Sequence, residues 1–257
     1  MSNVQTVLDL LKELSVKNSV SIFIPSLNRE VKFRPITGAQ QKKIYDSGYD
    51  NIVFRTKFIL ATYDIIVENC LEPDITNELN VIDRLSILLA YRKALYGSII
   101  KNANGEIDFT ECLEKLNKAA NRFSEQEIEY DNIKITAQIP KFIDQYKFEK
   151  ELREQAVLQR DDTKTFIEAF GEMYFGELCK TVKSISIGDV TIAFNQLSIN
   201  EQLAVIERLP LVVINSIGEF IKTTVNLQTE LLTAKVKSET AEMDIVLDVN
   251  AEFLIKV

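Results

Sequence analysis

The stretch "YDNIKITAQIP", residues 130–140, restricts the possible folds more than any other: Ile133, Ile135, Ala137 and Ile139 alternate strictly with Lys134, Thr136 and Gln138. A period of two puts the apolar set on one face of a β-strand. A strand cannot satisfy its own backbone groups, so its partners come from elsewhere in the chain. The other strand patterns lie far away. Near the start, Val20, Ile22 and Ile24 face Val31 and Phe33 across a polar loop, and Pro35 ends the second strand. Near the end, "LLTAKVKS" and "EMDIVLDV" flank a polar turn, with Met243, Ile245, Leu247 and Val249 alternating with acids.

The intervening sequence has helical period. Gly38–Tyr45 opens a helical region that runs on through "DNIVFRTKFILATYDIIVENC". Asn80 can cap the next helix, with Asp83 in its first turn and Ile82, Leu85, Leu88, Leu89, Leu95 and Ile99 on one face; Gly97 weakens its end. A polar loop, "KNANGEID", leads to a short helix from Phe109 to Ala120, and Ser124 with Glu127 makes a capping-box pattern for a further brief turn. "KFIDQYKFEKELREQ", with Glu149 and Arg153 in a favourable i,i+4 order, reads as a solvated helix, and a loop at Asp161 and Asp162 separates it from a more buried helix carrying Phe166, Phe170, Phe175 and Leu178. Ser198 and Glu201 form another capping box; Pro210 then divides two helices, the second with Val213, Ile217, Phe220 and Ile221 on its buried side. The expected fold is α+β and mainly helical, with one small antiparallel sheet gathered from the N-terminal hairpin, the central strand and the C-terminal hairpin.

Only 8 Gly and 5 Pro are spread over 257 residues, which leaves little for linkers, and 46% hydrophobic content supports a real core, so a single domain 1–257 is expected. An amphipathic helix over 3–15 carries Leu8 and Leu11 on its apolar side; it either packs on its own core or docks in a neighbouring subunit. The apolar chain end, Phe253 and Leu254, has the same two readings. No run of about 18 uncharged apolar residues occurs, so no membrane insertion is expected.

The sequence contains no histidine, the commonest general base and zinc ligand. Its glycines form neither GxGxxG nor GxxxxGK, the loops that cradle phosphates. "IIKNANGEIDFTE" imitates a calcium loop at Asn102, Asn104, Gly105, Ile107, Asp108 and Glu111, but Ile100 stands where the first ligand belongs, so an Asn-Gly turn between helices is expected. Asp161 and Asp162 read as solvated loop acids, and Cys70, Cys112 and Cys179, far apart and odd in number, as buried structural thiols. A net charge of −8 argues against a nucleic-acid partner. No catalytic residue, cofactor or metal is expected.

Four blocks carry a family resemblance: "REVKFRPITGAQQKKI", with Phe33, Arg34 and Pro35; "NVIDRLSILLAYRKALYGS", with Asp83 and Arg92; "NIKITAQIPKF"; and "LSINEQLAVIERLPLVVINSIGEFIKTTVNLQTEL". In that order they resemble the baseplate hub proteins of T4-like contractile-tailed bacteriophages. The resemblance implies a non-enzymatic virion assembly protein, made in the host bacterial cytoplasm and placed in the tail baseplate, with other tail and hub proteins, and in the assembled baseplate its own copies, as partners. It makes Arg34 and Arg92 candidate contact residues and 101–130 a surface insertion. The rival readings are a transient hub-assembly chaperone, a host-directed binding protein and a carboxylate- or lysine-based enzyme.

Overall fold

A computed structural model describes residues 3–48, 54–102, 105–119, 122, 125–158, 166–237, 242–249 and 254. Helices dominate and every strand pairing among the described residues is antiparallel, which is the expected α+β class. The chain divides into two compact units, residues 1–120 with 231–257 and residues 121–230. Composition suggests one domain because no Gly/Pro-rich linker marks the crossings: one lies between closely spaced elements and the other inside a helix.

The first unit starts with α1 (Asn3–Lys17), followed by β1 (Val20–Ile24) and β2 (Arg29–Phe33), with Val20 opposite Phe33 and Ile22 opposite Val31. Pro25 begins the short 3-10 turn between them, and Asn28 ends it in the left-handed region at φ 49°, which Asn tolerates better than most residues. After α2 (Gly38–Gly48) and α3 (Phe54–Asn69) the chain lies along β2: Arg34 N donates to Asn69 O (2.8 Å), and Leu71 N to Lys32 O (3.0 Å). The helix α4 (Val81–Tyr96) packs on β1 and buries Ile82, Leu85, Leu88 and Leu89. Its expected cap is present: Asn80 Oδ1 accepts from the backbone N–H groups of Ile82 and Asp83, and Asp83 Oδ2 accepts from Asn80 N (2.8 Å).

Beyond Tyr96 the expectation changes. Gly97, at φ 83°, turns the chain out of the helix, and Ile99 starts a strand instead of extending the helical face. The stretch expected as a loop between helices is a hairpin, β3 (Ile99–Asn102) with β4 (Gly105–Asp108). Then come α5 (Thr110–Lys118) and, after the second unit, β9 (Thr233–Lys237) and β10 (Glu242–Val246). β4 pairs with β9, so the four strands form one sheet in the order β10-β9-β4-β3. α5 packs against α4 and β9; Cys112 and Leu116 are buried, and Lys115 Nζ donates to Thr233 O (2.9 Å).

The second unit holds β5 (Gln126–Tyr130), β6 (Ile133–Ala137), α6 (Phe142–Leu158), α7 (Phe166–Thr181), β7 (Val182–Ile187), β8 (Val190–Ala193), α8 (Ile199–Ile206) and most of α9 (Leu211–Leu232). The central strand β6 sits inside a sheet ordered β5-β6-β7-β8. Among the described residues the expected single sheet is therefore three: the N-terminal hairpin forms a two-stranded sheet by itself, while the central strand and the C-terminal hairpin each find separate partners. Two of those partners were not expected. Glu127 lies in β5, where Lys134 on β6 pairs with it (2.8 Å), instead of capping a helical turn, and Ser124 is outside the described residues. The β7–β8 hairpin turns at Gly188, φ 58°. Ile135, Ala137, Leu178, Ile185, Ile206 and Ile217 belong to one buried cluster of this unit. α6 is less solvated than expected: Phe142 and Phe148 are buried, and Glu149 pairs with Lys180 on α7 (3.5 Å), whereas the Arg153 side chain lies outside the described residues. Asp161 and Asp162 also lie outside them.

Candidate interaction surfaces

Two of the family-like blocks converge in the first unit. Gln40 and Asn69 exchange side-chain amide hydrogen bonds, Nε2 to Oδ1 at 3.0 Å and Nδ2 to Oε1 at 3.1 Å, and Gln40 Nε2 also donates to Glu68 (2.9 Å). Arg34 Nη1 donates to Glu68 O (3.1 Å), while Arg34 O accepts from the Tyr91 hydroxyl (2.9 Å). Tyr91 stacks edge-on against Phe33 with ring centroids 6.1 Å apart. One helical turn further, the Arg92 guanidinium lies over the Tyr96 ring (4.7 Å), and the Tyr96 hydroxyl accepts from Gln41 (2.8 Å). Burial pushes the Tyr91 phenol up, so it stays a donor at any ordinary pH.

Arg34 and Arg92 are thus half-buried, each with part of its side chain committed within the unit. Leu254 is fully buried and its carbonyl is 3.5 Å from the Tyr96 hydroxyl, so it lies in the core and offers no free surface. Phe253 is outside the described residues. Leu8 and Leu11, in contrast, are about half exposed, with no burial of α1 on its own core. Sequence reasoning missed Gln40, Asn69, Tyr91 and Tyr96. A signal existed for two of them: Thr37 and Gln40 form a reciprocal capping pair at the start of α2, and Tyr91 follows Leu88 by three residues on the buried face of α4, where a phenol needs a partner.

The second unit has a small open pocket of about 110 Å³ between α6, α7 and α8, lined by Asp144, Lys147, Phe148, Lys180 and Gln202 among others. Two of its polar side chains are engaged within the unit. Lys180 Nζ meets Glu177 (2.8 Å) and Glu149 (3.5 Å) and lies 5.4 Å from the centre of the Phe148 ring; Gln202 Nε2 donates to Phe194 O and Leu197 O. Burial raises the Asp144 carboxyl and pushes the thiols of Cys112 and Cys179 up to about 11 and about 12, so both sulfurs remain protonated and poorly nucleophilic at neutral pH. No group of three or more Cys, Asp or Glu suited to a metal ion gathers among the described residues, nor is any of their helices long and apolar enough to cross a membrane.

The two edges of the second sheet differ. β5 places Glu127 and Glu129 outward, both within reach of Lys134, whereas β8 is short, uncharged and exposes Val190 and Ile192. Charge guards the first edge against further pairing and the second lacks that guard. The chain belongs to the T4 bacteriophage base plate protein family, whose model matches residues 16–254. Neither curated proteins nor solved structures give a significant match.

Proposed function

We propose that this protein is a non-enzymatic hub or inner-baseplate subunit of a contractile phage tail, acting by burying preformed surfaces against other tail proteins. The family membership over residues 16–254 carries this reading. The hub assignment rests on the four ordered blocks, of which the first two, "REVKFRPITGAQQKKI" and "NVIDRLSILLAYRKALYGS", meet through the Arg34–Tyr91 and Gln41–Tyr96 hydrogen bonds. Beside these bonds lie the half-buried Arg34 and Arg92, a residue type favoured where proteins meet. A stable contact of this kind buries on the order of 1,200 Å² or more in total.

Mass spectrometry of purified finished particles tests the reading. The subunit is expected at a fixed stoichiometry relative to the other baseplate proteins. Its absence from particles, together with co-purification with tail proteins from infected cells, would replace it with a transient hub-assembly factor; co-purification with a single host protein would overturn both.

A further inference from the structure

We propose that α1 is a self-association element that joins three or more copies of this chain in a helical bundle. Val4, Val7, Leu8, Leu10, Leu11 and Leu14 are each between 47% and 67% exposed, so the helix buries no apolar face on its own chain. At 100° per residue these six side chains span one arc of about 160°, shared only with Asn3 and Ser15 near the two ends of the helix. They offer on the order of 500 Å² of apolar surface per helix, at the upper end of what monomeric proteins leave uncovered. A 15-residue helix without tertiary packing is also marginal in water, so α1 needs a covering partner to persist.

The sequence of α1 selects a second copy of itself. Val4, Val7, Leu11 and Leu14 have the alternating three- and four-residue spacing of a heptad seam, which packs against its own kind by knobs-into-holes contacts. Leu8 and Leu10 flank that seam on both sides where a two-stranded coil ordinarily carries charge, so each helix has to touch two neighbours to become dry. The opposite arc holds Asp9 and Glu13 against Lys12 and Lys17, a balance that opposes neither self-pairing nor close approach of copies. A lipid surface fits poorly, because interfacial helices concentrate Lys and Arg on the polar face. The family match begins at residue 16, so the apolar arc from Val4 to Leu14 lies outside it, and the inference stands independently of the tail assignment.

Sedimentation velocity and native mass spectrometry of the full chain over a micromolar concentration series test it. The expected mass is at least three times 29.3 kDa, falling to a single chain in Leu11→Glu and in Leu14→Asp, with circular dichroism and melting of the rest of the protein retained. Val16→Glu, on the polar arc, is expected to leave the assembly intact. A monomeric wild type, a limiting dimer, masses without a limiting stoichiometry, or an oligomer that survives both seam variants would overturn the proposal. A monomer that co-sediments with anionic phospholipid vesicles would do so as well, and would place a membrane surface on α1.

Discussion

Asp83 has no exposed surface, yet its carboxylate accepts from Ser26 N (2.9 Å), Ser26 Oγ (2.5 Å) and Asn80 N (2.8 Å). It caps α4 and pins that helix to the turn of the N-terminal hairpin. Burial raises its carboxyl above the ordinary value, with the hydrogen bonds from Asn80 and Ser26 opposing that shift. The folded chain therefore holds this proton more tightly than the unfolded chain, so the group's contribution to stability is greatest below the usual Asp range and declines as pH climbs through the folded value. Asp83→Asn is expected to destabilise at neutral pH by roughly 1–3 kcal/mol, because its amide NH2 faces a donor and leaves a buried N–H unmet. Denaturant titration reads the loss, and the variant should lack this residue's share of the pH dependence. The Asn80–Asp83 half of this arrangement was legible because capping follows local spacing. The Ser26 half was not, since its partner is 57 positions away. Leu254 shows the same limit: an apolar chain end is equally compatible with a core and with a partner until the rest of the chain surrounds it.

At the scale of elements, close helix packing in the second unit depends on Gly176. A methyl group there would sit 2.8 Å from Cε1 and Cζ of Phe148, whose ring is buried and also meets the Lys180 ammonium. Helix propensity favours Ala over Gly by about 1 kcal/mol, and overpacking a core opposes it by about 1–3 kcal/mol. The clash wins, because backbone and ring are held by separate helices. Gly176→Ala should lower stability by up to about 2 kcal/mol; a melt that rises instead would show that the ring swings aside. Elements with strong local signals, the capped helices α4 and α8 and the strict alternation of β6, were readable from spacing. The β3–β4 and β7–β8 hairpins were not read. β3 follows a helix whose apolar pattern continues through Ile99, and only the positive φ at Gly97 ends that helix. "VKSISIGDVTIA" carried its alternation and its Gly-Asp turn in plain view, but short apolar runs are ambiguous until a partner strand is known.

Across the whole molecule, the two compact units carry separate consequences. Asp83 lies in the first and Gly176 in the second, and the buried cluster around Ile135, Leu178 and Ile217 draws only on the second. Native-state hydrogen exchange should therefore localise the damage: Asp83→Asn lowers protection of β1 and α4 amides and leaves β6 and β7 near wild type, while Gly176→Ala does the reverse. The double variant's loss should equal the sum of the single losses to within about 0.5 kcal/mol. Loss of protection across both units in either single variant would show one energetic core. From sequence alone came the α+β class, the caps, the central strand, the amphipathic arm and the family resemblance, because each depends on periodicity or order along the chain. Only the tertiary structure decided that the described strands make three sheets, that Arg34 meets Tyr91 and Arg92 meets Tyr96, and that α1 is left uncovered. Those outcomes depend on which distant segments meet, and hydrophobic burial, being non-directional, does not write its partners into local spacing.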